Sequence, residues 1–294
     1  MKILVTGSEG NIGKKLVPYL KEKGHTIYRN DIVSGIGEDY YQGDVCGSDL
    51  LYKKFENIEV VFHLAAMVSR VTCEATENLS IHTNICGTNN ICQLCKMIGA
   101  YLINFSTSEV YGNVSYEMNP SNFCYPNNRY ALSKYMAEKI VEYEVFNHDL
   151  KAVNIRPFMI YDEDESFGEH RSAMIRFAES LLKKQSIIVH SGAKRGWLHI
   201  SNAIDILEKV AMVGIKGTMN IGNDEIVSID SIAKKMCNYL DLEPEKYIVY
   251  RNLPIRMTLE KRPDLSIQKQ LGDINYVSIE EGIKRVIEKA KKRI

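Results

Sequence analysis

Lys2-Ile3-Leu4-Val5-Thr6-Gly7-Ser8-Glu9-Gly10-Asn11-Ile12-Gly13 opens the chain as a short β-rich run that stops at three glycines spaced three apart. A strand-to-helix turn of this kind needs glycine where a side chain would keep the backbone from a pyrophosphate. The helix that starts near Ile12 would then turn free N–H groups and a positive dipole end toward that anion. A tight structural turn is the bland alternative for a glycine triplet taken alone. Asp31 adds context, because it falls just after a second β-run at Thr26–Arg29. A carboxylate there can accept the adenosine ribose 2′-OH and repel a 2′-phosphate, which favours NAD over NADP. Arg29 pulls the other way, and a solvated turn carboxylate remains the plain reading of Asp31.

Further β-rich runs at Val60–Leu64, Tyr101–Phe105 and Val153–Arg156 alternate with helical patterns at Ile12–Lys21, Thr83–Met97 and Arg129–Phe146. Repeated βαβ units predict a doubly wound parallel α/β sheet, Rossmann-like in its first half. After about residue 160 the alternation loosens. Short strands are expected at Ile187–His190 and Thr218–Ile221, with helices at Arg171–Lys183, Asn202–Val213, Ser228–Leu240 and Ile279–Lys291. This shift suggests a dinucleotide-binding part over 1–160. The remainder, 161–294, is then a smaller substrate-binding region that also lends late strands and helices to the main fold.

Composition narrows the function classes. The 294 residues are 45% hydrophobic and 25% charged, and 37 Lys plus Arg balance 37 Asp plus Glu. Zero net charge gives no electrostatic reason to expect nucleic acid or an anionic membrane as partner. No apolar run is long enough to span a bilayer, and Met1-Lys2-Ile3-Leu4-Val5 enters a strand directly, so the expected compartment is the cytoplasm. The seven cysteines include one C-x-x-C, Cys92 and Cys95, inside a helical pattern and without a second pair. They read as packed thiols, and no metal is expected. The acidic run Asp162–Glu165 reads as a solvated loop.

Tyr130 and Lys134 form Y-x-x-x-K on a predicted helix, which places both side chains on one face. Oxidising an alcohol needs a base for the hydroxyl proton while hydride departs. A tyrosine serves only if its ordinary pKa near ~10 is lowered, and a neighbouring ammonium together with a cationic nicotinamide can do so.

In their order along the chain, these features resemble the extended short-chain dehydrogenase/reductase family, the NAD-dependent nucleotide-sugar epimerases and dehydratases. Gly43-Asp44-Val45 resembles its adenine-contacting segment, His63-Leu64-Ala65-Ala66 its H-x-A-A strand end, and Asn84 with Gly87-Thr88 its N-x-x-G-T helix. Ser106-Thr107-Ser108-Glu109-Val110-Tyr111-Gly112 closely resembles its S-T-x-E-V-Y-G segment. The resemblance implies NAD held by Gly7, Gly10, Asn11, Ile12, Gly13, Asp31, Asp44, Val45, Leu64, Ala65, Ala66, Tyr130 and Lys134. It implies Tyr130 as base, Lys134 as its pKa modifier and ribose anchor, and Thr107 as hydrogen-bond partner of the reacting hydroxyl. Glu109 stands where some relatives remove a sugar C5 proton; in others it is a hydrogen-bonding pocket residue. Ser108 replaces the general-acid Asp of many hexose dehydratases and would contact substrate.

A nucleotide-diphosphate sugar also requires oxyanion ligands, for which the forked donors of arginine are suited. Arg195-Gly196-Trp197 resembles the family's R-D-[FWY] motif, and Glu260-Lys261-Arg262-Pro263-Asp264 its late R-x-x-D element. By resemblance Arg195 and Arg262 meet the diphosphate and Asp264 the nucleotide ribose. One departure is Met159, where the family carries Asn after Arg156-Pro157-Phe158. The expected activity is epimerisation or dehydration through transient C4 oxidation, with decarboxylation of a nucleotide uronate or reduction of a keto sugar as alternatives. A non-catalytic NAD sensor is the non-enzyme alternative. A homodimer is the family's expected assembly.

Overall fold

The computed structural model describes residues 1–47, 57–168, 171–254 and 257–294. Strands β1 (Lys2–Thr6), β2 (Thr26–Asp31), β3 (Tyr40–Gln42), β4 (Val60–His63), β5 (Tyr101–Phe105) and β6 (Ala152–Pro157) form six of the seven strands of one sheet. Four short strands follow: β7 (Ile160–Tyr161), β8 (Ile187–His190), β9 (Lys194–Gly196) and β10 (Leu198–His199). The seventh sheet strand is β11 (Gly217–Ile221), and the order is β11-β6-β5-β4-β1-β2-β3 with every pairing parallel. Ile3, Leu4 and Val5 of β1 and Val61 and Phe62 of β4 are fully buried. Unbroken apolar runs of this kind suit strands covered by helices on both faces.

The chain leaves β1 toward β2 on one side and reaches β4 on the other. A crevice therefore opens beyond the carboxyl ends of β1 and β4, where such folds bind ligands. The helix Gly13–Glu22 follows β1, and the helix Arg129–His148 connects β5 to β6. On the sheet's other flank Leu16, Leu20, Ile204, Leu207 and Val210 bury against Ile3 and Val5, so the helix Ile200–Val213 belongs to the main core. A second core gathers Met174, Phe177, Leu181, Trp197, Ile232, Met236, Ile283 and Val286 from the second half of the chain. Cys92 and Cys95 are buried in the helix Gly87–Ile98, packed with Leu4, Val61 and Leu102.

Several elements differ from the sequence reading. Thr83–Met97 is not one helix: Glu77–Ile81 leads into a π turn at His82–Cys86 before Gly87–Ile98. A helix at Arg70–Ala75 was not foreseen, nor were β3, β7, β9 and β10. Nor were β12 (Ile226–Ser228), β13 (Ile248–Arg251) and β14 (Glu260–Lys261). Strands of two to four residues are too short to carry a period, and pairing alone specifies them. The acidic run is not simply solvated. Asp164 bonds Lys15 and lies 2.6 Å from Lys289 and 3.1 Å from Arg293, while Glu163 bonds His199 at 2.8 Å. It ties the C-terminal helix Ile279–Lys291 to the helix after the glycine loop.

The helix Arg129–His148 is anchored by a buried ion pair. Glu138, fully buried, accepts from Arg156 Nε at 3.0 Å and Nη2 at 2.7 Å, and from the Ser106 hydroxyl. Arg156 also lies over the Tyr111 ring, 4.7 Å from its centre. Glu138→Gln would leave a buried guanidinium without its carboxylate, which should remove about 3–5 kcal/mol of stability. Urea unfolding reads this as a lower midpoint, and a midpoint within error of wild type would show that the pair anchors nothing.

Candidate active site

The glycine loop is shaped by close backbone approach. Gly7 has φ +70°, and a Cβ there would stand 2.6 Å from Ala65 N; one on Gly13 would stand 2.4 Å from Gly7 O. The segment 64–66 beyond β4 is thereby pressed against the loop beyond β1. Ile12 caps the following helix with no side-chain hydrogen bond, while Lys14 N and Lys15 N in its first turn donate to Gly10 O at 3.0 Å and Ile12 O at 3.1 Å. The resulting cleft has a volume of about 630 Å³. It brings together Gly7, Gly10, Asn11, Ile12, Gly13, Asp31, Asp44, Val45, Leu64, Ala65, Ala66, Tyr130 and Lys134, every residue assigned to the cofactor from sequence. Tyr161, Asp162, Glu165 and Arg171 line it as well, and they were not assigned.

Asp31 ends β2 and accepts Glu9 N at 2.9 Å and Ile32 N at 2.8 Å, which aims its carboxylate along the cleft. Arg29, the residue that argued for a 2′-phosphate, is already engaged. Asp39 takes it through Nε at 3.0 Å and Nη2 at 2.9 Å, and these bonds hold the Asp39 carboxyl down at about 2. The residues therefore fit NAD: a cradle that side chains would fill, an acidic group at its far end, and a buried Lys134 ammonium with no hydrogen-bond acceptor among the described residues.

His63 and Asn84 are structural. Thr88 donates to Asn84 O at 2.7 Å, so its hydroxyl accepts from His63 Nε2 at 3.1 Å, and Thr6 then donates to Nδ1 at 2.8 Å. Burial, with Lys134 nearby, pushes the imidazole down to about 3 and keeps it neutral. Asn84 accepts from Met67 N at 2.8 Å and donates to Met67 O at 3.0 Å and to Ser133 Oγ at 2.9 Å. It thus clamps the segment after β4 to the helix that carries Tyr130. Asn128 caps that helix by accepting Ala131 N at 2.9 Å.

Near the cleft's inner end Thr107 accepts Glu109 N at 3.2 Å. Burial pushes the Tyr130 phenol up; the Thr107 side chain works against the rise and the Glu109 charge adds to it. Lys134 is not among the groups lowering it, which differs from the sequence expectation. Burial lowers Lys134 to about 8, with Glu138 opposing. The phenol is thus protonated.

The remaining candidates fall in two places. Ser108 is buried in the 3₁₀ turn Ser108–Tyr111. Glu109 is bonded to two cations absent from the sequence reading, Arg70 and Lys261. Burial alone would raise its carboxyl, but Lys261 and Arg70 overcome that and hold it at about 2. Arg195, 3% exposed, donates to Lys194 O at 2.7 Å, Thr258 O at 2.7 Å and Leu259 O at 2.9 Å, and its charge reaches Glu109. Arg262 does not join it. On β14 its neighbour Lys261 faces Glu109, while Arg262 bonds Glu260 at 2.7 Å and lines a second cleft with Asp264. Counting three back from Asp264 in R-x-x-D lands on Lys261, the signal that sequence reading passed over. Met159, in place of the family's Asn, has φ +36°, a left-handed conformation that Asn tolerates better.

A glycine cradle at the switch point of a doubly wound sheet, with a Tyr–Lys helix beside it, defines a dinucleotide-dependent enzyme. The family model "NAD dependent epimerase/dehydratase family" matches residues 3–222, and the chain belongs to that family. It is 28% identical over 275 residues to a dTDP-D-glucose 4,6-dehydratase of Dictyostelium discoideum, across 81% of this chain and 62% of that protein's length. Over 301 residues it is 25% identical to UDP-glucuronic acid decarboxylase 6 of Arabidopsis thaliana, across 96% of this chain and 87% of the relative. Its fold matches a UDP-N-acetylglucosamine 4-epimerase of Methanobrevibacter ruminantium M1, solved with UDP-N-acetylmuramic acid, at TM-score 0.89 and 20% identity, covering 100% of this chain and 99% of that one. No described helix is long and apolar enough to cross a membrane.

Two outcomes test the cofactor site. Gly13→Ala forces a Cβ onto Gly7 O and should weaken NAD binding at least roughly tenfold, ~1.4 kcal/mol, by calorimetry with an unchanged circular dichroism spectrum. Lys134 is charged below about 8 and neutral above it. NAD affinity should therefore be highest below that pH and fall as pH rises through it, whereas Lys134→Met should bind weakly with a flat profile. A Lys134→Met profile that still falls would assign the titration elsewhere.

Proposed function

We propose that the protein epimerises or dehydrates a nucleotide-diphosphate sugar by transient oxidation at C4. The observation that carries this reading is the placement of Tyr130 and Lys134, one helical turn apart, on the glycine-loop cleft, with the Thr107 side chain acting on the Tyr130 phenol. Bound NAD supplies the acceptor and later the donor of hydride, so none is consumed over a turnover. Tyr130 takes the sugar hydroxyl proton and later returns it, and Thr107 holds both the phenol and the hydroxyl in line. Lys134 anchors the cofactor ribose, and the cationic nicotinamide would supply the positive charge that lowers the phenol. Oxidation at C4 acidifies the neighbouring carbon–hydrogen bonds and loosens the sugar for rotation, which gives epimerisation and dehydration a shared first half. Ser108 and Arg195 contact the substrate on this reading, with Arg262 and Asp264 at the nucleotide end, and the active form is a homodimer.

Decarboxylation of a nucleotide uronate is the second reading. It is favoured by the Thr107-Ser108-Glu109 combination beside Arg70 and Lys261, and by relatives that bear that name.

Incubation with UDP-, GDP-, CDP- and dTDP-sugars should give one productive substrate. An unchanged mass with a new epimer, loss of water or loss of carbon dioxide assigns the reaction. Tyr130→Phe should lower kcat by about 10²–10⁴-fold while NAD still binds. Turnover that survives this change would show that another group is the base.

A further inference from the structure

Both halves of the chain wall the cofactor cleft. Gly10, Asn11 and Ile12 line it from the glycine loop, and Tyr161, Asp162 and Glu165 line it from β7 onward. The second wall is held firmly from behind. Glu163 bonds His199 Nε2 at 2.8 Å, and Glu165 accepts Ser172 N at 2.9 Å and the Ser172 hydroxyl at 2.5 Å. Arg293 donates to Glu165 O at 2.7 Å. The C-terminal helix packs so closely against this wall that a Cβ on Gly282 would run into the Tyr161 phenol.

Toward the glycine loop the same run is tied by one side chain. Lys15, in the first turn of the helix Gly13–Glu22, bonds Asp164 and lies 3.7 Å from Asp162. Among the described residues, no other side chain before β7 bonds the run. Asp164 also lies 2.6 Å from Lys289 and 3.1 Å from Arg293, so one carboxylate joins the glycine-loop helix to the C-terminal turn. The Lys15 and Asp164 side chains are 30% and 35% exposed. Charges so placed attract weakly and are screened by salt, so this tie can open while the backing stays in place. A dinucleotide lying between the two walls can leave only when they part.

We propose that the run 162–165 is an ionic strap over the bound dinucleotide, latched to the glycine-loop helix by Lys15, and that the latch holds reduced cofactor in place between the two hydride transfers. The role rests on the nucleotide-sugar reading, in which the hydride taken from C4 must return to the same sugar. Reduced cofactor that escapes in that interval leaves the sugar oxidised and the turnover unfinished. Neither Lys15 nor Asp164 lines the cleft, so both act through the strap and are positioning residues. The strap is rigid toward the second half and loosely tied toward the first, which lets the cofactor load yet resists its loss.

The latch is read without sugar, from the rate at which excess NAD displaces bound NADH, followed by NADH fluorescence in stopped flow. Lys15→Gln and Asp164→Asn should each release NADH about two- to fivefold faster than wild type, the range that a partly exposed ion pair supplies. Lys15→Arg, which keeps the charge, should release it at the wild-type rate. Raising salt from about 0.05 M to about 0.5 M shortens the Debye length to roughly a third, and should speed release from wild type more than from Lys15→Gln. If Asp164→Asn fails to fold, Lys15→Gln against Lys15→Arg decides. Release at the wild-type rate from Lys15→Gln overturns the strap. So does slower release from Asp164→Asn, which would show that an unpaired Lys15 serves the cofactor directly. With the productive nucleotide sugar, Lys15→Gln should leave keto sugar and NADH in solution where wild type leaves neither. If wild type converts no nucleotide sugar, that reading falls with the role assigned to the latch, while the release rates still decide the latch itself.

Discussion

The buried pair between Glu138 and Arg156 sets the position of everything that reacts. Glu138 lies one helical turn beyond Lys134 and two beyond Tyr130, and its carboxylate reaches across to the end of β6 and to Ser106, the residue before Thr107. One carboxylate therefore relates the helix of Tyr130 and Lys134, the strand end that presents Thr107, and the strand that leads into the second half. Such a pair stabilises little by itself, because both ions lost their water. Its value is geometric: helix and strand ends cannot slide without separating two charges in a dry core. Asn154, bonded to Asn104 at 2.8 Å, repeats the tie one layer deeper.

Electrostatics then divide the crevice into two regions. The cofactor region holds the Asp31 carboxylate at one end and, at the other, a Lys134 ammonium with no hydrogen-bond acceptor among the described residues, a polarity that suits a dinucleotide lying along it. Beyond Tyr130 lies the region of Arg70, Lys261 and Arg195, where positive charge exceeds negative. Glu109 stands at the boundary. Its charge raises the Tyr130 phenol while the two cations hold its own proton affinity down. The phenol is thus protonated and the carboxylate ionised.

Much of this was legible without coordinates. The glycine spacing, Asp31, Asp44, the Leu64-Ala65-Ala66 segment, Tyr130 and Lys134 are local signals on long, regular elements, and all meet in one cleft. Arg70 and Lys261 were not legible. An arginine in a short helix and a lysine on a two-residue strand carry no periodicity, and they matter only through Glu109, 39 and 152 residues away. Arg262, the residue after β14, lies apart from Arg195: it bonds Glu260, while Lys261 faces Glu109. The acidic run Asp162–Glu165 is tied down by Lys15, His199, Lys289 and Arg293, partners distant in the chain that spacing does not reveal.

By itself the sequence determined the βαβ alternation, the dinucleotide turn and the Tyr–Lys helix, since each depends on spacing within one element or between neighbours. Only the tertiary structure decided which cations face Glu109, which of Lys261 and Arg262 points inward, and that His63 is a neutral strut. Those outcomes depend on the direction of short strands and on partners far apart in the chain. Burial decides the charge each group carries, and burial is a property of the assembled fold.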